Sequence, residues 1–324
     1  MKILIIGAAG MLGAKLAARL CQDGHIGGGE ITHLCLADIA APAASPDAPF
    51  AVAAIATDFS LAGQAERLID NRPDVIFHLA AIVSGEAETD LEKGYRINLD
   101  GTRSLFDAIR TAGDDYRPRV VFASSLAVFG APFPDTIPDD FHLTPLTSYG
   151  TQKAMCELLL ADYTRRGFLD GIGLRLPTIV VRPGRPNKAA SGFFSGIIRE
   201  PLNGEEAVLP VSDDVLHWMA SPRAAVGYFA HAAGLPPEAC AAARNITLPG
   251  LAVTVAEQIE TLRKIGGTGR VNLIRREKDP LVEKIVSGWP RRFDPKTALG
   301  LGFQPDATFE AIVRAYIEDE QIQV

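Results

Sequence analysis

The first thirteen residues constrain this chain most. An apolar run, Ile3 to Ile6, meets a turn in which glycine recurs every third residue, Gly7-Ala8-Ala9-Gly10-Met11-Leu12-Gly13, and a helical pattern then continues to Asp23. A buried strand that breaks on such a turn and restarts as a helix is the opening of a β–α–β unit. Gly7 permits the tight turn, Gly10 lets the backbone approach a pyrophosphate, and Gly13 permits close helix packing. The helix start near Met11 adds free N–H groups and the positive end of its dipole. Ala9, Met11 and Leu12 complete this candidate phosphate cradle. Lys2 followed by an apolar run imitates a secretory leader, but the run is too short for one and its glycines fall at turn and helix positions.

The same rhythm repeats through the first half. β-rich runs at Lys2–Gly7, His33–Asp38, Val52–Ala56, Val75–Leu79, Val120–Ser124 and Gly173–Leu176 alternate with helical patterns at Met11–Asp23, Ser60–Asn71, Tyr95–Ala112 and Ser148–Arg166. Alternation of this kind requires a parallel sheet covered by helices. After Pro183 the rhythm changes. Helices are expected at Ser191–Asn203, Pro222–Ala233, Val253–Ile265, Asp279–Val286 and Thr308–Asp319, with shorter β runs at Ala207–Val211 and Arg270–Ile274. The expected fold is α/β, a doubly wound parallel sheet with helices on both faces, plus a smaller α+β C-terminal portion. One connection is unusual. Gly130–Thr147, with four prolines, reads equally as a wall or lid over a pocket and as an irregular surface excursion.

Bulk properties exclude several functions. A net charge of −7 argues against sequence-independent binding to nucleic acid. The four cysteines show no CxxC spacing and no histidine cluster, so neither a metal site nor a disulfide framework is expected, and reduced thiols of a cytoplasmic protein fit best. No segment has the unbroken apolar length that spans a bilayer.

Further residues extend the cradle. Asp38 ends the second β run, where an acid binds both ribose hydroxyls and repels a 2′-phosphate, favouring NAD over NADP; it reads otherwise as a turn cap. Asp58 could accept from an adenine amino group. Leu79-Ala80-Ala81 places small residues where the chain must pass close to a cofactor, and Asn98 serves either a structural hydrogen bond or the chemistry. Far downstream, Tyr149 and Lys153 stand four apart in Ser148-Tyr149-Gly150-Thr151-Gln152-Lys153. On a helix they share a face, and an ammonium beside a phenol lowers the phenol's pKa from about 10 toward that of a useful base.

Taken together, the glycine turn, His78-Leu79-Ala80-Ala81, Asn98, Ala123-Ser124-Ser125, the YxxxK pair and the run Asp294–Phe303 resemble the extended short-chain dehydrogenase/reductase family, which contains nucleotide-sugar epimerases and dehydratases. The resemblance covers nearly the whole chain. It implies a Rossmann domain over residues 1–180, with a returning segment near 215–250, and a mainly substrate-binding portion over 181–324. It makes Tyr149 the proton acceptor, Lys153 the group that tunes it and holds the nicotinamide ribose, and Ser125 the hydrogen-bond donor to the reacting oxygen. Ser124 and Pro177 join the cofactor set, and a homodimer is implied.

Departures from the nucleotide-sugar pattern bear on substrate. Thr178 stands where such enzymes carry asparagine, and Phe129 where they carry tyrosine. The basic segment Arg182-Pro183-Gly184-Arg185-Pro186-Asn187-Lys188 suits a small anionic substrate, with Arg182 and Arg185 as carboxylate partners or as ordinary surface arginines. Within the family the chain looks most like members that oxidise a four-carbon sugar acid at C2 with NAD. A nucleotide-sugar epimerase that retains NAD is the alternative. A cofactor-sensing regulator need not keep the Tyr149–Lys153 pair.

Overall fold

A computed structural model of the chain describes residues 1–43, 47–184, 191–241 and 243–323. The chain forms two compact units. The first comprises Met1–Val128, Thr147–Leu176 and Val226–Thr247; the second comprises Phe129–Leu146, Pro177–Ala225 and Leu248–Val324.

Seven strands make the sheet of the first unit: β1 (Lys2–Ile6), β2 (His33–Asp38), β3 (Ala51–Ala56), β4 (Val75–His78), β5 (Arg119–Ser125), β6 (Asp170–Leu176) and β7 (Asn245–Thr247). Their order is β7-β6-β5-β4-β1-β2-β3, and every pairing is parallel. This is the doubly wound Rossmann arrangement that the β–α alternation requires. The central strands are buried along nearly their whole length, which accounts for their continuous apolar sequence, whereas edge strand β3 is largely exposed. From β1 the chain winds outward to β2 and β3, then returns to β4 on the other side. The direction of winding therefore reverses between β1 and β4, where crevices for ligands form at the carboxyl ends of the strands.

Helices α1 (Met11–Asp23), α2 (Gln64–Ile69), α3 (Gly101–Thr111) and α4 (Ser148–Arg165) accompany the sheet. In α1, Gly13, Leu16, Ala17 and Leu20 form the buried stripe at helical spacing. The helix closes on Gly24, left-handed at φ 71°, whose N–H donates to Leu20 O. Helix α2 starts later than the pattern from Ser60 predicts. Asp58 and Ser60 form a turn, and Gly63 at φ 78° lets the chain enter the helix only at Gln64. The segment expected to be one helix from Tyr95 divides into a π-helical turn, Tyr95–Asp100, and α3.

The second unit has a three-stranded sheet in the order Thr178–Ile179, Leu216–Ala220, Leu251–Thr254, the first pair parallel and the second antiparallel. Helices Gly192–Leu202, Val255–Val271 and Phe309–Asp319 share its core, which includes Val181, Phe194, Ile198, Met219, Leu262 and Ile312. The helix predicted to end at Ile265 meets its break at Gly267, φ 78°, then resumes to Val271, which displaces the following strand to Ile274–Arg276. The Gly130–Thr147 segment is anchored rather than loose. Ile137–Pro138 pairs in parallel with Phe293–Asp294, and Asp139 accepts from the N–H of Thr297 at 2.7 Å. No helix among the described residues is long and apolar enough to cross a membrane.

Candidate active site

The glycine turn lies at the reversal point beside β1. Gly7 has φ 96°, and a Cβ there would fall 2.6 Å from the backbone N of Ala80. At Gly13 a Cβ would fall 2.1 Å from the carbonyl oxygen of Gly7. Each position therefore needs glycine for a separate reason: left-handed backbone with close passage of the Leu79–Ala81 segment, and contact between helix and turn. Leu79 and Ala80 both donate to Ile6 O, at 2.8 and 2.9 Å, which fixes that passage. Ala9 and Gly10 are exposed, and α1 has no side-chain cap. Its leading N–H groups thus remain available to an anion.

Asp38 ties β2 to this turn. Its Oδ2 accepts from Ala9 N at 2.9 Å and its Oδ1 from Ile39 N at 2.7 Å. Turn cap and ribose acceptor are compatible uses of one carboxylate, since each oxygen can accept more than one bond. Asp58 accepts from the N–H and hydroxyl of Ser60 and from Arg96. Those contacts outweigh partial burial and hold its pKa below the usual carboxylate value.

The YxxxK residues lie on α4, whose N-terminus is capped by Thr147 Oγ1 accepting from Gly150 N at 3.0 Å. Tyr149, Lys153 and Glu157 recur at four-residue spacing, so one helix face carries all three. Lys153 is 2% exposed, and its Nζ donates to Ala123 O at 2.8 Å, beside the Phe122 ring (4.7 Å to the centroid) and the Tyr149 ring (5.7 Å). Burial pulls its pKa down to about 8, against an opposing pull from Cys156 and Glu157.

One turn on, Glu157 is fully buried and receives Arg175 of β6 through a bidentate contact, with Nη2 at 2.7 Å from Oε2. Ser124 Oγ donates to the same carboxylate at 2.5 Å. The end of β5 is thus bonded to α4 twice, through Ala123 and Ser124, and Ser125 comes next, its Oγ accepting from Ala127 N at 3.2 Å.

Asn98 is a bracket. Its Oδ1 accepts from Ile82 N at 2.9 Å, while its Nδ2 donates to Ile82 O at 3.3 Å and to Gln152 Oε1 of α4 at 2.7 Å. The structural use of Asn98 is therefore realised, on a π-helical turn of the kind common at functional sites. Beneath it, Thr102 donates to Asn98 O, so the 2.8 Å contact with His78 is completed by a proton on His78 Nε2. Burial, with Lys153 nearby, keeps His78 neutral by pulling its pKa to about 3.

In the second unit, buried Pro177 precedes half-buried Thr178, whose Oγ1 lies 2.6 Å from His217 Nε2. Arg182 donates from Nε to Ile179 O at 2.9 Å and from Nη2 to Ser191 Oγ at 3.3 Å. Arg185 lies outside the described residues.

The model of the NAD dependent epimerase/dehydratase family matches residues 3–219. This chain belongs to that family. It is 46% identical over 323 residues to the D-erythronate dehydrogenase of Cupriavidus necator, covering 98% of each chain. It is 43% identical over 318 residues to that of Haemophilus influenzae, covering 98% of this chain and 99% of the other. A crystal structure described as the nucleoside-diphosphate-sugar epimerase of Agrobacterium tumefaciens superposes with a TM-score of 0.96 at 60% identity, over 99% of this chain and 94% of that one. This family member is an NAD-dependent oxidoreductase of the CH–OH dehydrogenase type.

The residues present fit that cofactor: the backbone at Gly10 is exposed, α1 has no side-chain cap, and Asp38 stands at the end of β2. Several polar residues of these networks had no role in the sequence reading, among them Glu157, Arg175 and His217. Glu157 had a signal, an acid one YxxxK spacing beyond Lys153. Arg175 and His217 had a weaker one, a single polar residue inside an apolar strand.

Proposed function

We propose that this enzyme oxidises a small sugar acid, D-erythronate at C2 to 2-dehydro-D-erythronate, with Tyr149 as the base. The observation that carries this reading is identity of 43–46% with two D-erythronate dehydrogenases over nearly the full length of every chain, so that the likeness includes the second unit as well as the cofactor fold. Bound NAD supplies the hydride acceptor. The cofactor falls to the first unit, held by the turn Gly7–Gly13, Asp38, Asp58, Leu79–Ala81, Asn98, Ser124 and Lys153; Pro177, Thr178 and Arg182 fall to the second.

The chain's own groups then have defined tasks. Ser125 donates to the C2 oxygen, and Tyr149 takes its proton as the C2–H bond breaks and the carbonyl forms. The buried Lys153 ammonium favours the phenolate by direct attraction, strengthened where water is excluded. Arg182 is the carboxylate partner in the second unit, and Thr178 contacts the polyol.

The test is a spectrophotometric screen for NADH formation across C3–C6 aldonic acids, with UDP-sugars in parallel. Highest kcat/KM with D-erythronate is expected. Tightly held NAD that survives dialysis, no net NADH and interconversion of a nucleotide sugar would replace this reading with epimerase chemistry, in line with the description of the Agrobacterium structure.

A further inference from the structure

Thr178 is partnered by a residue outside the catalytic set. The strand Thr178–Ile179 pairs with Leu216–Ala220, and the Thr178 hydroxyl meets His217 Nε2 at 2.6 Å. His217 is 4% exposed in an otherwise apolar strand. Its imidazole stacks on Phe194 with ring planes 3° apart and centroids 5.0 Å apart, and it meets Trp289 at 5.3 Å. A phenyl ring would satisfy that packing equally well. What histidine adds is a fixed pattern of one donor and one acceptor.

Thr178 occupies Nε2 at 2.6 Å, so one of the ring's two polar positions is committed to the threonine hydroxyl. Burial keeps the ring neutral, with Arg182 adding to the effect. That bond to His217 fixes the hydroxyl of half-buried Thr178 in one orientation, and the stacked ring holds it there.

We propose that His217 is a positioning residue for substrate specificity, which fixes the Thr178 hydroxyl as a hydrogen-bonding partner and so selects an acid carrying a free hydroxyl besides the one oxidised. The oxidised hydroxyl falls to Ser125 and Tyr149, so the Thr178 hydroxyl is left for a second O–H. This inference rests on the reading of Thr178 as substrate-facing, and it names the substrate class as a polyhydroxy acid rather than a simple 2-hydroxy acid. A site built to pair with a hydroxyl rejects the analogue lacking it far more strongly than an apolar pocket rejects a missing methylene.

The experiment compares kcat/KM for the best aldonic acid of the screen with that for its analogues lacking one hydroxyl away from C2. The holoenzyme is used as wild type, Thr178→Val, His217→Phe and His217→Gln, with melting temperatures recorded. The wild type should prefer the parent acid over at least one deoxy analogue by about 100-fold or more. Thr178→Val and His217→Phe should compress that ratio to within about 10-fold, by losing turnover of the parent while that of the analogue persists. His217→Gln, whose amide can still bond the Thr178 hydroxyl, should recover part of the ratio. A ratio unchanged in Thr178→Val removes Thr178 from the substrate site, and the inference falls with that reading. A ratio compressed in Thr178→Val but intact in His217→Phe overturns the inference alone. Equal losses for parent and analogue in both His217 variants, tracking a lower melting temperature, would make His217 merely structural and overturn it as well.

Discussion

Lys153 is a charge held where the folded state would be more stable without it. Its side chain is 2% exposed, and burial brings its pKa from 10.5 to about 8. A tenfold change in proton affinity is worth about 1.4 kcal/mol, so the buried ammonium destabilises the fold by about 3 kcal/mol near neutral pH. The folded pKa lies below the unfolded one. Between them the unfolded chain binds more protons than the native one, and stability rises with pH. The destabilisation is thus full below about 8 and gone above about 10.5. Lys153→Met removes it while nearly preserving side-chain length. What is lost is the charge-assisted hydrogen bond to Ala123 O, on the order of 1.5–3 kcal/mol. The expected outcome near pH 7 is an inactive variant at least as stable as the wild type and up to about 1.5 kcal/mol more stable. Near pH 9.5 the wild type's destabilisation shrinks to about 1 kcal/mol, so the variant's relative stability should drop by about 2 kcal/mol. Urea unfolding of both proteins after removal of NAD, at the two pH values, gives the quantity needed, because titrations common to both cancel in the difference. A stability difference that does not change with pH would refute the buried-ammonium argument.

Two further outcomes follow from the same physics. Tyr149→Phe should lower kcat by about 100-fold to 10,000-fold while NAD still binds, as followed by cofactor fluorescence or calorimetry; turnover within tenfold of wild type would exclude Tyr149 as the base. His78 and His217 are both buried neutral, with pKa values lowered from 6.5 to about 3. The native state of each binds fewer protons than the unfolded state across that window, so stability is lost as pH falls through it, by about 2 kcal/mol per histidine near pH 5. His217→Gln should therefore flatten the decline in melting temperature between about pH 7 and 5 relative to wild type, and an identical slope would contradict the assignment.

What could be read in the sequence was what local covalent geometry dictates. The opening strand, turn and helix were legible because Gly7 and Gly13 answer demands made within a few residues of themselves: a left-handed φ at one, contact with the preceding carbonyl at the other. The Tyr149–Lys153 spacing was legible for the same reason, since helical pitch alone puts them on one face. Asn98 stood at the limit. Its dual reading could not be resolved from the sequence because its partners, Ile82 and Gln152, lie 16 and 54 residues away. The strand Leu216–Ala220 was missed altogether, being short and defined only by pairing with Thr178–Ile179 and Leu251–Thr254.

The helical spacing of Tyr149, Lys153 and Glu157 also does not say which face of α4 is buried, and the energetics turn on that. A helix that set a lysine and a glutamate toward solvent would gain a few tenths of a kcal/mol from the pair. With this face turned inward, each charge must instead be met by groups on other strands. Glu157 is met fully, by Arg175 and Ser124, while Lys153 has one carbonyl and two aromatic rings. The asymmetry has a chemical sense. A lysine neutralised by its own carboxylate would have little positive potential left for a neighbouring phenolate, whereas one whose neighbouring Glu157 is already engaged by a guanidinium keeps positive potential beside the Tyr149 ring. On the proposed mechanism, burial of an incompletely compensated ammonium is what lets Tyr149 serve as base, and the stability it removes is what Lys153→Met should restore.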